Sequence, residues 1–183
     1  MVFEEFGERM KDLKLILSRV AYAASLFDDD GMNVRFMNST KEGNHIRNEQ
    51  DVESLVNSVQ FSGLTPLGTS LQRKVIDPFV VQSARSGKLR KPVLIITITD
   101  GEPTGEPKRA VHDAIMYAMG ELDRDHRYGK GVCPFQFAQV GSDMKAREFL
   151  GKLDDDPIIG DFIDCTSSMF RPSICPLLCT DIM

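Results

Sequence analysis

A run of ten residues, KPVLIITITD at positions 91–100, constrains the fold of this chain more than any other segment. A proline precedes a stretch of apolar and β-branched side chains that shows no alternation between apolar and polar positions. Such a stretch is typical of a strand in the middle of a parallel sheet, where both faces are buried. We therefore predict a central strand that ends at Thr99 and is followed directly by Asp100.

Segments on both sides of this run alternate between helix and strand patterns. Apolar residues spaced three and four apart predict an amphipathic helix over residues 3–27. Four further helices are predicted: one that begins after Asp51 as its N-cap, one over about 71–86, one that begins at Pro107 and one over 146–153. Further strands are predicted at 32–38, 132–141 and 161–166. This order predicts an α/β fold, with a doubly wound, mostly parallel sheet and helices on both faces.

Composition and charge exclude several classes of protein. The net charge is −5 and the basic residues are scattered among acids, which argues against a nucleic-acid-binding protein. The acidic N-terminus lacks the pattern of a signal peptide, and no apolar segment is long enough to cross a membrane, so a cytoplasmic protein is expected. The four cysteines lack C-x-x-C spacing; reduced thiols are favoured over a disulfide or a metal site.

Two loops fall where an α/β sheet binds ligands, outside the carboxyl ends of its strands. The first is GLTPLGT at 63–69, and the second is TDGEP at 99–103. The hydroxyl of Thr65 and the carboxylate of Asp100 are hard oxygen ligands, which suit Mg²⁺, Mn²⁺ or Ca²⁺. Alternatively, Asp100 caps a turn and Thr65 only orders its own loop.

Four segments taken together resemble von Willebrand factor A-type (vWA) domains: GLTPLGT, ITITDGEP, FAQVGSD and LDDDPIIGDFIDCT. The resemblance is closest to fungal intracellular members, which carry FDDDG before a strand, and it covers roughly residues 8–168. It implies a vWA or Rossmann-like sheet in a domain at 1–168, followed by a divergent tail at 169–183. The family's first strand, which carries a D-x-S-x-S motif, is absent from this sequence.

The family's metal-ion-dependent adhesion site binds a cation that accepts a carboxylate from a partner protein. The resemblance carries over two of its ligands to this chain, Thr65 and Asp100. The ligands of the D-x-S-x-S motif have no counterpart, so Mg²⁺ or Mn²⁺ would bind only weakly. The remaining residues expected around the partner crevice are those of the same two loops: Gly63, Thr69, Thr99, Gly101 and Glu102.

The favoured function is therefore a non-catalytic protein-interaction module of vWA type with an incomplete adhesion site. Its partner would be a protein that presents an acidic residue, rather than a nucleic acid or a membrane. One alternative is a functional adhesion domain that depends on Mg²⁺ or Mn²⁺ and is completed by the partner or a second chain. The other is a metal-assisted hydrolase that uses Asp100 and a nearby histidine.

The absent strand leaves a vacancy in the expected sheet. Unpaired backbone groups in a dry interior are costly, so the vacancy must be filled or closed. Direct pairing of the strand at 32–38 with the strand at 92–99 is the favoured solution. A segment of the tail, or a homodimer that exchanges a strand, are the alternatives.

Overall fold

The computed structural model of the chain describes residues 2–27, 29–125 and 127–167. Its helices are α1 (Val2–Phe27), α2 (Glu49–Asn57), α3 (Leu67–Leu71), α4 (Gln82–Arg85), α5 (Ala110–Asp123) and α6 (Met144–Asp154), with a π-helical segment, Gln72–Val81, between α3 and α4. Its strands are β1 (Met32–Arg35), β2 (Glu42–Ile46), β3 (Ile95–Thr99), β4 (Phe135–Gln139) and β5 (Ile163–Ser167). The chain is a mixed α/β protein, as its sequence predicts.

Three strands form a parallel sheet in the order β3-β4-β5. The register aligns Ile95 with Phe135 and Phe135 with Ile163. The predicted parallel pairing is thus confirmed, but the predicted central position of the apolar run is wrong. Among the described residues β3 lies at the edge of the sheet and β4 lies in its middle, and only the first and last residues of β3 are buried.

A separate two-stranded sheet is formed by β1 and β2, which pair antiparallel. The sequence predicted a polar loop where β2 lies, because EGNHI has few residues that favour strands. The favoured pairing of 32–38 with 92–99 does not form, since β1 and β3 belong to different sheets. Their starts are joined instead by an ion pair between Lys91 and Asp30, with a distance of 3.1 Å from Nζ to Oδ2.

The main hydrophobic core covers one face of the parallel sheet. Alternate residues of the three strands point into it, and Phe135 and Phe137 of β4 are almost completely buried. The helices α3, α5 and α6 and the π-helical segment supply the opposing side chains. Burying a side chain as large as phenylalanine contributes roughly 1.5–3 kcal/mol, so this face holds the sheet and helices together.

A second, smaller core joins α1 to the β1–β2 hairpin and α2. Leu17 and Ala21 of α1 pack there with Val34 of β1 and Val52 of α2. Ile98 packs against the same cluster from the face of β3 opposite the main core. This contact fixes α1 relative to the end of β3 that carries the candidate site.

Several predicted element boundaries need correction. The helix predicted from about 71 begins earlier, at Leu67, and continues into the π-helical segment, which contains Pro78, a residue without an N–H to donate. The helix predicted from Pro107 begins at Ala110. The N-cap of α2 is Asn48, whose side chain accepts the N–H of Asp51, and not Asp51 itself.

None of the described helices is both long and apolar enough to cross a membrane. The predicted tail at 169–183 lies outside the described residues, as do Cys175 and Cys179.

Candidate functional site

Thr99 and Gly101 form a tight turn at the carboxyl end of β3. The Thr99 hydroxyl donates to the carbonyl oxygen of Gly101 at 2.9 Å, and the Thr99 residue is only 3% exposed. Between them lies Asp100, with 52% of its side chain exposed. The buried hydroxyl therefore holds a turn that presents the carboxylate at the protein surface.

Reciprocal hydrogen bonds join the two loops that the sequence singles out. The Thr65 N–H donates to the Thr104 hydroxyl at 2.9 Å, and the Thr104 N–H donates to the Thr65 carbonyl at 2.9 Å. We call the surface formed by residues 62–69 and 99–106 the loop crevice. Its two sides are fixed to each other by these two hydrogen bonds, one between backbone atoms and one from a backbone N–H to the Thr104 hydroxyl.

The Glu106 side chain forms two more hydrogen bonds between the same two loops. Its Oε1 accepts the N–H of Gly68 and its Oε2 accepts the N–H of Thr69, both at 2.8 Å. These are N–H groups of the first turn of α3, which have no partner within the helix and favour negative charge. Thr69 is therefore a residue of α3 whose backbone anchors the crevice.

Gly63 shapes the opposite end of the first loop. Its φ angle is +105°, a conformation that a residue with a Cβ rarely adopts. The Asn38 side chain donates to the carbonyls of Ser62 and Leu64 at 2.9 and 2.6 Å and so bridges over Gly63. The loop is thereby tied to the segment that follows β1.

An ion pair connects Asp100 to the first helix. Nη1 of Arg9 lies 3.1 Å from Oδ2 of Asp100, and the Arg9 side chain is 30% exposed. The guanidinium also lies against Gly141, in the loop after β4, where a Cβ would come within 3.0 Å of Arg9 Nε. Arg9 thus contacts the ends of two adjacent strands, β3 and β4.

A second ion pair lies at the same edge of the sheet. Lys145 Nζ is 3.6 Å from Oε1 of Glu102. Lys145 follows the N-cap of α6, where the Asp143 carboxylate accepts its N–H at 2.8 Å. Gln139, which is buried at the end of β4, donates to the Asp143 carbonyl at 2.7 Å and orders this loop.

The residues around Asp100 do not fit the divalent cation that the resemblance implies. The Asp100 carboxylate faces a guanidinium, and Thr65 takes part in the crevice through its backbone hydrogen bonds. Within 2–27, 29–125 and 127–167, no three His, Cys, Asp or Glu side chains are grouped closely enough to hold a metal ion. A hard cation needs several oxygen ligands, and most of them would have to be water here.

The described histidines form hydrogen bonds away from Asp100, and the described cysteines are buried or half-buried free thiols. The ring of His45 bonds to the Asp30 carbonyl, and the ring of His112 bonds to Asp113. Burial raises the pKa of the Cys133 thiol to about 12. The pKa of the Cys165 thiol is also raised to about 12, mainly by burial and to a smaller extent by the nearby carboxylates. A thiol with such a pKa is a poor nucleophile at neutral pH.

The loop crevice is an exposed surface and not an enclosed pocket. Two shallow depressions of the described surface lie away from it, one lined by Pro157, Ile158 and Phe162 and the other by Arg85 and Glu121. Small-molecule sites usually bury most of their ligand in a concave pocket.

Sequence reasoning missed three residues that organise the site: Arg9, Thr104 and Glu106. Thr104 and Glu106 lie just beyond the TDGEP segment, and a scan for acceptors near the start of α3 could have identified Glu106. Arg9 is 91 residues from Asp100 in the sequence, and no local pattern links them.

No model of a known protein family, no curated protein and no solved structure matches this chain. The class of protein is therefore defined by the chain's own geometry. It is a mixed α/β protein with a three-stranded parallel sheet and a polar, ordered loop surface at the carboxyl ends of β3 and β4.

Proposed function

We propose that this chain is a non-catalytic protein-interaction module of vWA type, and that the loop crevice is its binding surface. The observation that carries the proposal is the pair of reciprocal hydrogen bonds between Thr65 and Thr104. Surfaces that are ordered before binding lose less conformational entropy when a partner docks. A rigid, exposed pair of loops is therefore an effective site for protein recognition.

The arrangement of elements supports the vWA-type proposal. After the β1–β2 hairpin, helices alternate with the three parallel strands, and this alternation is what the resemblance implies for that part of the chain. The segments GLTPLGT and TDGEP, on which the resemblance depends, are the two sides of one surface. We propose the doubly wound, Rossmann-like arrangement on the same basis, with a further strand next to β3, at a position that no described strand occupies.

The chemistry of the crevice supports binding over turnover. Asp100 and Glu102 each form an ion pair, and within the described part of the chain neither forms a hydrogen bond or an ion pair with a histidine, serine or cysteine that it could activate. General acid–base and nucleophilic catalysis need such groups within hydrogen-bonding distance of one another. The balanced charges also suit a protein partner with polar groups better than a nucleic acid, which needs a basic surface.

A peptide library displayed on phage tests this proposal, because it samples many partner sequences at once. Peptides are selected on the wild-type chain and then assayed on the double variant Asp100→Ala/Glu102→Ala. We expect selected peptides to bind the wild type and to lose at least about tenfold in affinity on the double variant. The matched control is Asp123→Ala/Glu53→Ala, which removes two exposed carboxylates outside the crevice and should leave binding unchanged.

Two results would contradict the proposal. One is selection of peptides that bind the wild type and the crevice variant equally well, which would place binding on another surface. The other is hydrolysis of a phosphate or carboxylic ester by the wild-type chain that disappears in Asp100→Ala. That result would establish the hydrolase alternative.

A further inference from the structure

The positive charge beside Asp100 is a side chain of this protein, the guanidinium of Arg9. Arg9 reaches across from α1, its Nη1 lies 3.1 Å from Asp100 Oδ2, and its guanidinium lies against the backbone of Gly141. A divalent ion bound to Asp100 would share this space with a fixed positive charge and be repelled by it. The resemblance implies a metal ion next to the Asp100 carboxylate, and in the structure the Arg9 guanidinium lies next to it instead.

We propose that the loop crevice recognises an acidic side chain of the partner through the Arg9 guanidinium and without a divalent cation. This proposal rests on the proposed function, since it names the chemistry of the same surface. A guanidinium is charged at every physiological pH, and its planar N–H groups match the two oxygens of a carboxylate. The Arg9 side chain is 30% exposed and its Nε atom is buried, so a partner carboxylate would approach the guanidinium from the side of its two Nη atoms, one of which also donates to Asp100.

Asp100 is then a positioning residue. Its carboxylate orients the guanidinium from one side, and the buried Thr99 hydroxyl fixes the turn that carries Asp100. Lys145 adds a second positive charge at this edge, but 74% of its side chain is exposed, so solvent and salt screen it. We therefore expect Arg9 to determine the affinity for the partner's carboxylate. Lys145 should mainly affect the rate at which the partner associates.

The first experiment asks whether a cation binds. The ¹⁵N-labelled full chain is titrated with Mn²⁺, which broadens the amide signals of residues close to it. We expect the wild type to show no selective broadening at residue 65 or at 99–102. Selective broadening of these signals in the wild type would overturn the proposal and favour the Mg²⁺- or Mn²⁺-dependent adhesion domain.

The second experiment asks whether a carboxylate binds, with glutarate as the probe and the neutral glutaramide as its control. We expect glutarate, and not glutaramide, to shift the amide signals of residues 100–102 in the presence of a chelator. Arg9→Gln should weaken this binding by about tenfold or more. Lys11→Gln, an exposed position on the same helix, should leave it unchanged.

Either of two outcomes of the glutarate titration overturns the proposal: shifts that require added Mg²⁺, or shifts that persist in Arg9→Gln. Circular dichroism checks that the Arg9→Gln variant is folded. If it is not, Arg9→Lys keeps the charge but removes the planar pair of donors, and the same weakening is expected.

The phage-selected peptides separate this proposal from the proposed function. Peptides that depend on the crevice, contain Asp or Glu and bind in the presence of a chelator support both. Peptides that depend on the crevice but lack acidic residues, or bind only with Mg²⁺, overturn the Arg9 proposal and leave the interaction module standing. If no peptide loses affinity on either the Asp100→Ala/Glu102→Ala variant or Arg9→Gln, the proposed function itself fails.

Discussion

The Glu106 carboxylate closes the N-terminus of α3 by accepting the N–H of Gly68 at 2.8 Å. Because its other oxygen accepts the next N–H of the helix, one side chain satisfies two backbone donors that have no partner within the helix. The contact also ties the loop after β3 to the first loop of the crevice. The shape of the binding surface and the stability of α3 therefore depend on the same residue.

We predict that Glu106→Ala lowers the free energy of unfolding by about 1–3 kcal/mol, because it leaves two half-buried N–H groups without an acceptor. Glu106→Gln keeps one acceptor and should lose less. Unfolding in urea, followed by circular dichroism, measures the difference. A loss from Glu106→Ala no larger than that from Glu53→Ala, at an exposed ion pair with 3.9 Å separation, would contradict this role.

Gly68 itself is required by close packing. A Cβ at this position would overlap the carbonyl carbon of Ala110 and the amide nitrogen of Val111, which are backbone atoms that cannot turn away. We predict that Gly68→Ala destabilises the protein by about 1–3 kcal/mol. The matched control is Gly120→Ala in α5, where a Cβ meets nothing within 4 Å. That substitution should stabilise the helix by about 0.5–1 kcal/mol, and equal effects of the two would refute the packing argument.

Patterns within a short window predicted the class of the fold and the parallel pairing. The amphipathic spacing of α1 and the unbroken apolar run of β3 are visible over a dozen residues, and both elements form. The strand β2 was missed because its side chains favour no element; its pairing with β1 stabilises it. The sequence prediction placed the N-cap of α2 at Asp51, three residues too late, because Asn and Asp are both residue types that commonly cap helices. In the structure Asn48 caps the helix, and Asp51 accepts the N–H of Arg47 in return.

Contacts between distant segments could not be predicted. The loops of the crevice were recognised because glycine, proline and hydroxyl residues mark turns, but nothing in either loop indicates Arg9. Its position depends on how α1 packs against the hairpin and Ile98, which is decided by the tertiary fold. The edge position of β3 depends on which strands are present and not on the β3 sequence itself.

The two described cysteines should be unreactive in the folded protein. A thiol with a pKa of about 12 has only roughly one ten-thousandth of its population as thiolate at pH 8. We predict that iodoacetamide at pH 8 alkylates Cys133 and Cys165 at least about a hundredfold more slowly in the native chain than in urea. Mass spectrometry of the peptides that contain each residue measures the two rates. Comparable rates in both conditions would show that burial does not protect them.

Asp156 should contribute stability that depends on pH. The N–H of Ile158, above all, lowers the pKa of this carboxyl below its usual value, and the N–H of Ile159 acts in the same direction. A group with a lowered pKa stabilises the fold above its unfolded-state pKa, and this contribution is lost as the pH falls through the folded-state pKa. We predict that Asp156→Asn is less stable than the wild type at pH 7 and that the difference shrinks below pH about 4. Urea unfolding at several pH values measures it, with the exposed Asp155→Asn as the control; a difference that grows on acidification would contradict the assignment.

The last prediction concerns the edge of the parallel sheet. Val93 and Ile95 donate their N–H groups toward β4, and Thr99 accepts from the residue after it, so the backbone groups of the alternate residues Leu94, Ile96 and Ile98 point away from β4. Natural edge strands are usually protected by charges, prolines or bulges, yet residues 94–99 read LIITIT. Leu94 is 56% exposed beside this edge.

We predict that the full chain associates as its concentration rises, through antiparallel pairing of two β3 edges. Leu94→Lys places a charge at each end of such a pairing and should reduce the association while changing the unfolding free energy by less than about 0.5 kcal/mol. The control is Ile158→Lys, an equally exposed apolar residue outside the strand, which should leave association unchanged. Light scattering over a range of concentrations measures the molar mass. A wild-type chain that stays monomeric throughout, or equal effects of the two lysines, would show that the β3 edge is not the contact.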